Sequence, residues 1–293
     1  YSCKFTCDIL RRDFKDAGIE FNNLHEIVPH KKINFGKNSI FPISLTHSIP
    51  DNVGYVLNTE DGSIVYTGHF VFDSSMQGAY QTDIGKLAYI GKQKVLCLLS
   101  ESVYAEKEGY TAPNNRIGSK VRDILMHNEG RVIVTVFSAH VSRIQELLTE
   151  IMSTQRRVVI MGKRLQELIN YVIDNNYVKF DKNRIGNLSN IDDKDAVILI
   201  SNENEKPFVN LERIVNGYDK YITILPSDTV FYLDPVSTNS EKIAVKLSDD
   251  IAKIGAKTIS LSSKKHLLNH ASVEDLMLML NLMNPKYYFP ING

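Results

Sequence analysis

The sequence has few cysteines, no excess of either charge and no long apolar run. Its three cysteines, Cys3, Cys7 and Cys97, do not have the spacing of a disulfide framework, and no second pair completes a zinc site with Cys3 and Cys7. We therefore expect reduced thiols, as in a cytoplasmic protein. No apolar run approaches the length of a membrane span, and the N-terminus does not read as a signal peptide, so the sequence predicts neither membrane insertion nor secretion.

The charge balance excludes a protein that recruits nucleic acid through a global positive field. Lysine and arginine total 34, and aspartate and glutamate also total 34, so any RNA binding must come from a local basic patch. With 293 residues, of which 43% are hydrophobic and 23% charged, the composition is that of an ordinary globular protein. The length allows one large domain or two ordinary ones.

A predicted β-hairpin brings two histidines together. Residues Val53–Thr59 and Ser63–Thr67 have the apolar, β-branched character of strands, and Asp61-Gly62 between them is a tight-turn pair. A hairpin returns its two ends to one another. His47, just before the first strand, and His69, just after the second, are therefore expected at one rim of a sheet.

A buried parallel strand is predicted over residues 94–100, where a continuous apolar run is bounded by polar residues. Glu101 follows this strand directly. A carboxylate at the C-terminal end of a strand is well placed to hold a ligand histidine or a catalytic water. The alternative is a rim glutamate in solvent.

Residues 114–262 alternate between short apolar strands and amphipathic helices. The predicted strands are Arg131–Phe137, Arg157–Met161, Ala196–Ser201, Thr229–Leu233 and Thr258–Leu261, and the predicted helices are Val141–Ser153, Arg164–Asn175, Leu211–Asn216 and Ile243–Ile254. This alternation predicts an α/β fold with a parallel sheet between helices. Arg143, Lys163 and Arg164 lie at strand ends and are candidate contacts for RNA phosphates, although scattered surface residues explain them about equally well.

Several motifs resemble those of one known family. T-H-S-I-P-D occupies residues 46–51 and T-G-x-F-x-F-D occupies residues 67–73, while residues 100–106 and 266–272 are similar to S-D-S-T-N-A-E and H-x-S-G-H-x-S. Together they resemble the ribonuclease J family, whose members are metallo-β-lactamase hydrolases with a β-CASP domain. The resemblance implies part of a metallo-β-lactamase αββα sandwich, over 1–113 and 263–293, with a β-CASP domain inserted at 114–262.

The resemblance also implies a zinc site. The implied metal ligands are His47, His69 and Asp73, and the implied catalytic residues are His270, His266 and Glu101. In active members two zinc ions are held by an H-x-H-x-D-H loop, by the T-H-S histidine and by a carboxylate from T-G-D that bridges the two ions. A histidine at the position of Asn292 in this chain completes the set. The H-x-H-x-D-H loop does not occur in this sequence and lies upstream of the resembling region in the family, so we expect the chain to begin partway through its first domain.

Two ligand positions differ from the family. His69 replaces the bridging aspartate, and Asn292 replaces the late histidine. An imidazole has one lone pair and cannot bridge two cations, and zinc prefers nitrogen or sulfur to an amide oxygen. We therefore expect that a two-zinc centre does not form.

Loops of the β-CASP region differ as well. At residues 137–143 the family has F-A-S-N-x-H-R, and of that motif's asparagine, histidine and arginine this chain keeps only the arginine, Arg143. At residues 202–207 the family has G-S-Q-G-E-P, and this chain has neither of its glycines. P-x-P-G-N is replaced at residues 235–239. In active relatives these loops line the RNA channel and the pocket for the RNA 5′ end, so an altered pocket is expected.

Two functions follow from these observations. The first is a cytoplasmic RNA-processing paralogue with weakened or lost hydrolysis, which binds RNA or pairs with an active relative as a homodimer or heteromer. The second is a working ribonuclease with one zinc, held by His47 and His69 with Asp73 as a further candidate, and with His270 assisting the chemistry.

Overall fold

The computed structural model describes residues 1–202 and 208–293, and the chain divides into two compact units. The first unit comprises residues 1–113 and 269–293, and the second comprises residues 114–268. The first boundary lies where the sequence placed it, and the second lies after residue 268 rather than after residue 262. The predicted loop replacement at 202–207 falls, except for Asn202, outside the described residues.

The elements are numbered in chain order. The first part of unit 1 contains β1 (Ser2–Cys3), α1 (Lys4–Asp16), β2 (Glu26–Ile27), β3 (Ile33–Phe35), β4 (Asn38–Ser44), β5 (Val53–Asn58), β6 (Ser63–Tyr66), α2 (Ile84–Gly91) and β7 (Val95–Glu101). Unit 2 contains α3 (Gly118–His127), β8 (Val132–Phe137), α4 (Val141–Met152), β9 (Arg157–Met161), α5 (Lys163–Asp174), β10 (Ile185–Gly186), β11 (Ala196–Asn202), α6 (Val209–Val215), β12 (Thr229–Tyr232), α7 (Glu241–Ile254) and β13 (Lys257–Ile259). The return to unit 1 contains α8 (Val273–Met283) and β14 (Tyr287–Ile291). None of the helices in the described residues is long and apolar enough to cross a membrane.

Unit 1 is built on a six-stranded mixed sheet with the order β14-β7-β6-β5-β4-β3. The predicted hairpin is confirmed: β5 and β6 are antiparallel, with Asn58 paired to Ser63 across the turn. The predicted strand β7 is parallel to both of its neighbours, β6 and β14. The carboxyl ends of β6, β7 and β14 therefore meet at one edge of the sheet.

One face of this sheet forms the core of unit 1. There the strand side chains Val56, Val65 and Leu98 pack against the helices α2 and α8. The helices contribute Leu87 and Met279 to this core. Ser272 caps α8 in a reciprocal capping box with Asp275. Alternate side chains of the same strands point to the opposite face, where Tyr66, Tyr287 and Phe289 remain substantially exposed.

The contact between α2 and α8 requires a glycine. A Cβ atom built on Gly91 would lie 1.7 Å from the backbone oxygen of Leu282. Because backbone cannot move aside cheaply, we expect Gly91→Ala to destabilise the chain by about 1–3 kcal/mol in urea unfolding. Gly85→Ala in the same helix is the control, because its nearest new contact is an ordinary 3.5 Å. Equal unfolding free energies for the two variants would show that this contact is loose.

Unit 2 is a parallel α/β sheet, as the sequence predicted. Its strand order is β10-β9-β11-β8-β12-β13, and every pair is parallel. The central strands are short, apolar and almost entirely buried, because helices cover both faces. Helices α6 and α7 pack on the face that includes Ile133, Ile198 and Val230.

Candidate functional site

Three histidines meet at the carboxyl edge of the unit 1 sheet. His47 lies between β4 and β5, His69 follows β6, and His270 precedes α8. The ring centroids of His47 and His69 are 5.7 Å apart, those of His47 and His270 are 5.9 Å apart, and those of His69 and His270 are 4.8 Å apart. The meeting of His47 and His69, predicted from the hairpin, is therefore present.

A short backbone bridge sets the positions of the first two rings. Thr46 and Val71 form an isolated antiparallel bridge, in which Val71 N–H donates to Thr46 O at 3.0 Å. The Thr46 hydroxyl donates to Tyr80 O at 2.6 Å and thereby anchors the loop. His47 and His69 lie one and two residues from this bridge, so the backbone fixes both of them.

Glu101 lies at the centre of the cluster. Its side chain has no exposed surface. Oε2 is 3.0 Å from His69 Nδ1 and 2.8 Å from His270 Nδ1. Oε1 accepts the backbone N–H groups of Phe70 at 2.7 Å and of Ala271 at 3.2 Å. One carboxylate therefore orients both imidazoles and also holds the two backbone segments that carry them.

The hydrogen bonds keep this carboxylate ionised. Burial by itself raises the pKa of Glu101, but the hydrogen bonds from His270, from the Phe70 backbone and from His69 outweigh burial and lower that pKa below its ordinary value. The prediction that Glu101 is placed to hold a histidine agrees with this geometry, whereas the alternative of a solvated rim residue does not.

A second buried carboxylate ties together the loops around the site. Asp275 is fully buried. Its Oδ1 accepts Phe72 N–H at 2.9 Å, and its Oδ2 accepts the N–H groups of Thr111 at 2.9 Å and Ser272 at 3.1 Å. Asp275 is at the third position of α8, and its bonds to Phe72 and Thr111 join residues that are 203 and 164 positions apart in sequence, so no local sequence pattern indicates them.

Tyr104 adds an aromatic wall beside His270. The two ring centroids are 5.4 Å apart and nearly perpendicular. Tyr104 also forms a parallel bridge with Ser272, and the ammonium of Lys107 lies 4.0 Å from the Tyr104 ring centroid. Burial lowers the pKa of Lys107. No role for this tyrosine was predicted from the sequence.

Two further positions of the predicted metal site are Asp73 and Asn292. The Asp73 carboxylate accepts the backbone N–H of Ser75 at 2.9 Å and its hydroxyl at 2.6 Å, so this side chain closes its own turn. Asn292 directly follows Ile291, which pairs with Glu101 in the parallel register of β14 and β7. The position that holds a histidine in the family therefore lies at the same sheet edge as Glu101.

The donor atoms do not fit a two-cation centre. Both oxygens of Glu101 are engaged by four donors, and a neutral imidazole at residue 69 cannot bridge two ions. The group could hold a single ion through its imidazoles: candidate ligand atoms of His69, Glu101 and His270 lie within 4.8 Å of one another, and Glu101 would orient the two rings. An imidazole whose Nδ1–H is held by a carboxylate presents its Nε2 lone pair, as metal-binding histidines do.

The remaining predicted residues lie in unit 2. Arg143 is only 2% exposed, and its guanidinium donates to the backbone oxygens of Leu233 at 2.9 Å and Leu267 at 2.7 Å. It therefore joins two loops and is buried away from solvent. Lys163 and Arg164 are exposed at the start of α5 and stay predicted phosphate contacts. Burial lowers the pKa of His266, whose catalytic role likewise stays a prediction.

Comparisons with known proteins agree with this fold. The family model described as "Ribonuclease J, beta-CASP domain" matches residues 129–249, which lie within unit 2. A crystal structure of a protein of unknown function from Enterococcus faecalis V583 superposes on 99% of this chain and 69% of that one, with a TM-score of 0.69 and 16% sequence identity. The chain thus has the α/β architecture of β-CASP proteins.

Curated relatives narrow the assignment. The chain is 32% identical over 297 aligned residues to Ribonuclease J2 of Bacillus subtilis, covering all of this chain and 54% of that protein. It is 31% identical to Ribonuclease J 2 of Staphylococcus saprophyticus, again over the whole chain and 53% of the relative. The chain therefore spans about half the length of the curated relatives that it matches. It belongs to the ribonuclease J family.

Proposed function

We propose that this chain is part of a cytoplasmic RNA-processing protein of the ribonuclease J type whose hydrolytic activity is weakened or lost. It acts by binding RNA, or by pairing as a homodimer or a heteromer with an active relative. The supporting observation is the engagement of Glu101: the only carboxylate in the His69–Glu101–His270 group is saturated by hydrogen bonds from within the protein. The two-ion chemistry of the family needs a bridging acid that is free to accept metal.

A substitution at residue 69 creates this arrangement. An aspartate there would carry a second negative charge toward Glu101, and the two acids would repel each other unless cations lay between them. With histidine the charge is absent, and the imidazole itself donates to Glu101 at 3.0 Å. The cluster is thus stable as a hydrogen-bonded network without a pair of cations.

A second candidate function is supported by the same donor atoms. His69 and His270 could hold one zinc ion, with His47 as the third neighbouring ring, and one zinc supplies Lewis-acid chemistry for phosphodiester hydrolysis when bound. In that case Glu101 orients the ligands, and Asp73 stays a candidate further ligand, because both of its bonds to Ser75 use the one oxygen Oδ1.

Metal content and RNA hydrolysis of the purified native protein distinguish the two candidates. We expect at most one metal ion per chain by elemental analysis, no turnover of 5′-monophosphorylated RNA, and retained RNA binding in a gel-shift assay. His47→Ala is the test variant. His127→Ala is the matched control, because that exposed histidine lies in α3 of unit 2, where its Nδ1 is 2.9 Å from the carbonyl oxygen of Asp123.

Hydrolysis that is lost in His47→Ala and kept in His127→Ala, with about one zinc per chain, would support the single-zinc enzyme instead. Two metal ions per chain together with such hydrolysis would contradict both proposals. Co-purification with an active ribonuclease J relative would support the pairing role.

A further inference from the structure

A groove lies beside α2 on the core side of the unit 1 sheet. We call it the α2 groove: α2 forms one wall, and Lys32, which directly precedes the edge strand β3, marks the other. The hairpin turn between β5 and β6 lines one end. This turn lies at the end of the sheet opposite the carboxyl edge of β6 and β7, so the groove is separate from the three-histidine cluster.

Two helices do not cover the full width of this sheet. Of the helices described in unit 1, α2 and α8 are the ones that contribute side chains to the core on this face. Six strands about 4.8 Å apart make a sheet roughly 29 Å wide, whereas two packed helices cover roughly 20 Å, since each takes up about 10 Å. The width left over is roughly 9 Å, which is close to that of one more helix.

The floor of the α2 groove is largely apolar. Phe41 and Val56 are paired in register on β4 and β5 and belong to the core, and Ile90 of α2 lies against the same core. Tyr89 of α2 is 65% exposed and lines the wall. The groove encloses about 670 Å³, within the range of roughly 300–1,000 Å³ found for ligand pockets. It therefore has room for several apolar side chains from another molecule.

The rim of the α2 groove carries an excess of positive charge. Three lysines and one acid line it: Lys32, Lys86, Lys94 and Glu60. Glu60 is engaged by Lys37 at 3.2 Å, and Lys86 is engaged by Asp83 at 3.1 Å. In the part of the chain that the structure describes, Lys32 and Lys94 have no acidic partner. Both are exposed, so their charges suit a negatively charged partner.

We propose that the α2 groove binds an acidic amphipathic helix of a partner protein. Such a helix lays an apolar face into a groove through anchors spaced three or four residues apart. Its anchors contact the apolar floor and the Tyr89 ring, and carboxylates beside the anchors pair with Lys32 and Lys94. The bound helix fills the uncovered width of the sheet as a third helix beside α2 and α8.

A peptide suits the α2 groove better than a nucleic acid does. Two of the floor residues, Val56 and Ile90, are aliphatic and offer no ring, whereas unpaired bases are bound by stacking on aromatic faces. Glu60 at the hairpin end adds a negative charge that phosphate groups would meet. The inference goes beyond the proposed function, because it involves neither RNA nor an active relative.

Fluorescence anisotropy with two labelled peptides tests the proposal on the full chain. Both peptides are about 15 residues long, enough for a stable helix, and share one leucine face; the polar face carries glutamate in one and lysine in the other. We expect the acidic peptide to bind roughly tenfold more tightly than the basic one, the effect of two exposed charge pairs. Tyr89→Ala should weaken its binding roughly tenfold, as is typical of an aromatic anchor. Tyr218→Ala, at a tyrosine of unit 2 that is 79% exposed, is the control and should leave binding unchanged.

Reversal of the two rim charges is the sharper test. The double variant Lys32→Glu with Lys94→Glu is expected to bind the basic peptide more tightly than the acidic one. The control is Lys179→Glu with Lys242→Glu, which makes the same change of charge at exposed positions of unit 2 and should keep the original preference. Circular dichroism checks that each variant is folded.

Three results would overturn the proposal. The first is an acidic peptide that binds no more tightly than the basic one, and the second is a preference that survives the reversal at Lys32 and Lys94. The third is a different occupant. A short single-stranded RNA that displaces the peptide and binds more tightly would identify nucleic acid, and a dimer in sedimentation that Tyr89→Ala dissociates would identify a second copy of the chain.

Discussion

Glu101→Leu is expected to destabilise unit 1 by about 3–5 kcal/mol, the cost of removing one partner from a buried charged network. Leucine has a similar volume but accepts no hydrogen bonds. The buried N–H groups of Phe70 and Ala271 would lose their acceptor, and each such loss costs about 1–3 kcal/mol. Hydrogen–deuterium exchange measured by mass spectrometry over a urea series reports the stability of the two units separately.

Glu106→Leu is the control for this variant, because Glu106 is exposed in the same segment and should change stability by less than about 0.5 kcal/mol. The pH dependence provides a second readout. The pKa of Glu101 is lowered in the folded chain from an ordinary 4.5, so as pH falls the unfolded chain takes up this proton first. The stabilising contribution of Glu101 is therefore present above pH 4.5 and is lost as the pH falls toward the folded-state pKa. Glu101→Leu should lack this part of the slope, and an unchanged slope would show that the carboxylate is not ionised in the network.

Arg131→Met is expected to have an effect of similar size, about 3–5 kcal/mol, on unit 2. Arg131 is 2% exposed and uses its whole guanidinium. Its Nε and Nη2 donate to the two oxygens of Asp228 at 2.9 and 2.6 Å, and the other donors reach the backbone oxygens of Ile191 at 3.1 Å and Thr223 at 2.7 Å. Methionine would leave the Asp228 carboxylate buried without its cation.

Arg122→Met is the matched control for Arg131. Arg122 also forms a two-pronged pair, with Glu150 at 2.8 and 2.9 Å. The Arg122 side chain is 55% exposed, although that of Glu150 is only 10% exposed. Because water reaches the Arg122 guanidinium, we expect its removal to cost about 1 kcal/mol, less than the removal of Arg131. Arg131→Lys should recover only part of the stability, because a lysine cannot match the planar fork. If Arg131→Met and Arg122→Met lowered the unfolding free energy equally, burial would not be the source of the effect.

The parts of the fold that depend on nearby residues could be predicted from the sequence. The hairpin of β5 and β6 was recognisable because its strands and turn are adjacent, and β9 was predicted with its observed bounds because a short apolar run between polar residues is distinctive. Strand β14 was not predicted as a strand. It contains Pro290, and among the described strands its partner is β7. No local sequence feature indicates a partner so distant in the chain.

In the candidate site too, contacts between nearby residues could be predicted and contacts between distant residues could not. The proximity of His47 to His69 followed from the hairpin, whereas the contact of His270 with Glu101 joins residues 169 positions apart. Resemblance to the family indicated both residues but not their hydrogen bond. Asp73 was predicted as a ligand from its motif position, and that role stays a prediction; its Oδ1 also closes a local turn with Ser75, which no motif indicated.

The discontinuity of unit 1 has a consequence for biosynthesis. Helix α8, strand β14 and the Asp275 carboxylate that anchors the Phe72 and Thr111 segments all come after residue 268. A ribosome therefore releases the whole of unit 2 before it supplies the pieces that complete unit 1. Unit 2 is continuous and can fold during translation. In that interval the nascent sheet of unit 1 has α2 but not α8 on its apolar face, so part of this face is exposed to aggregation.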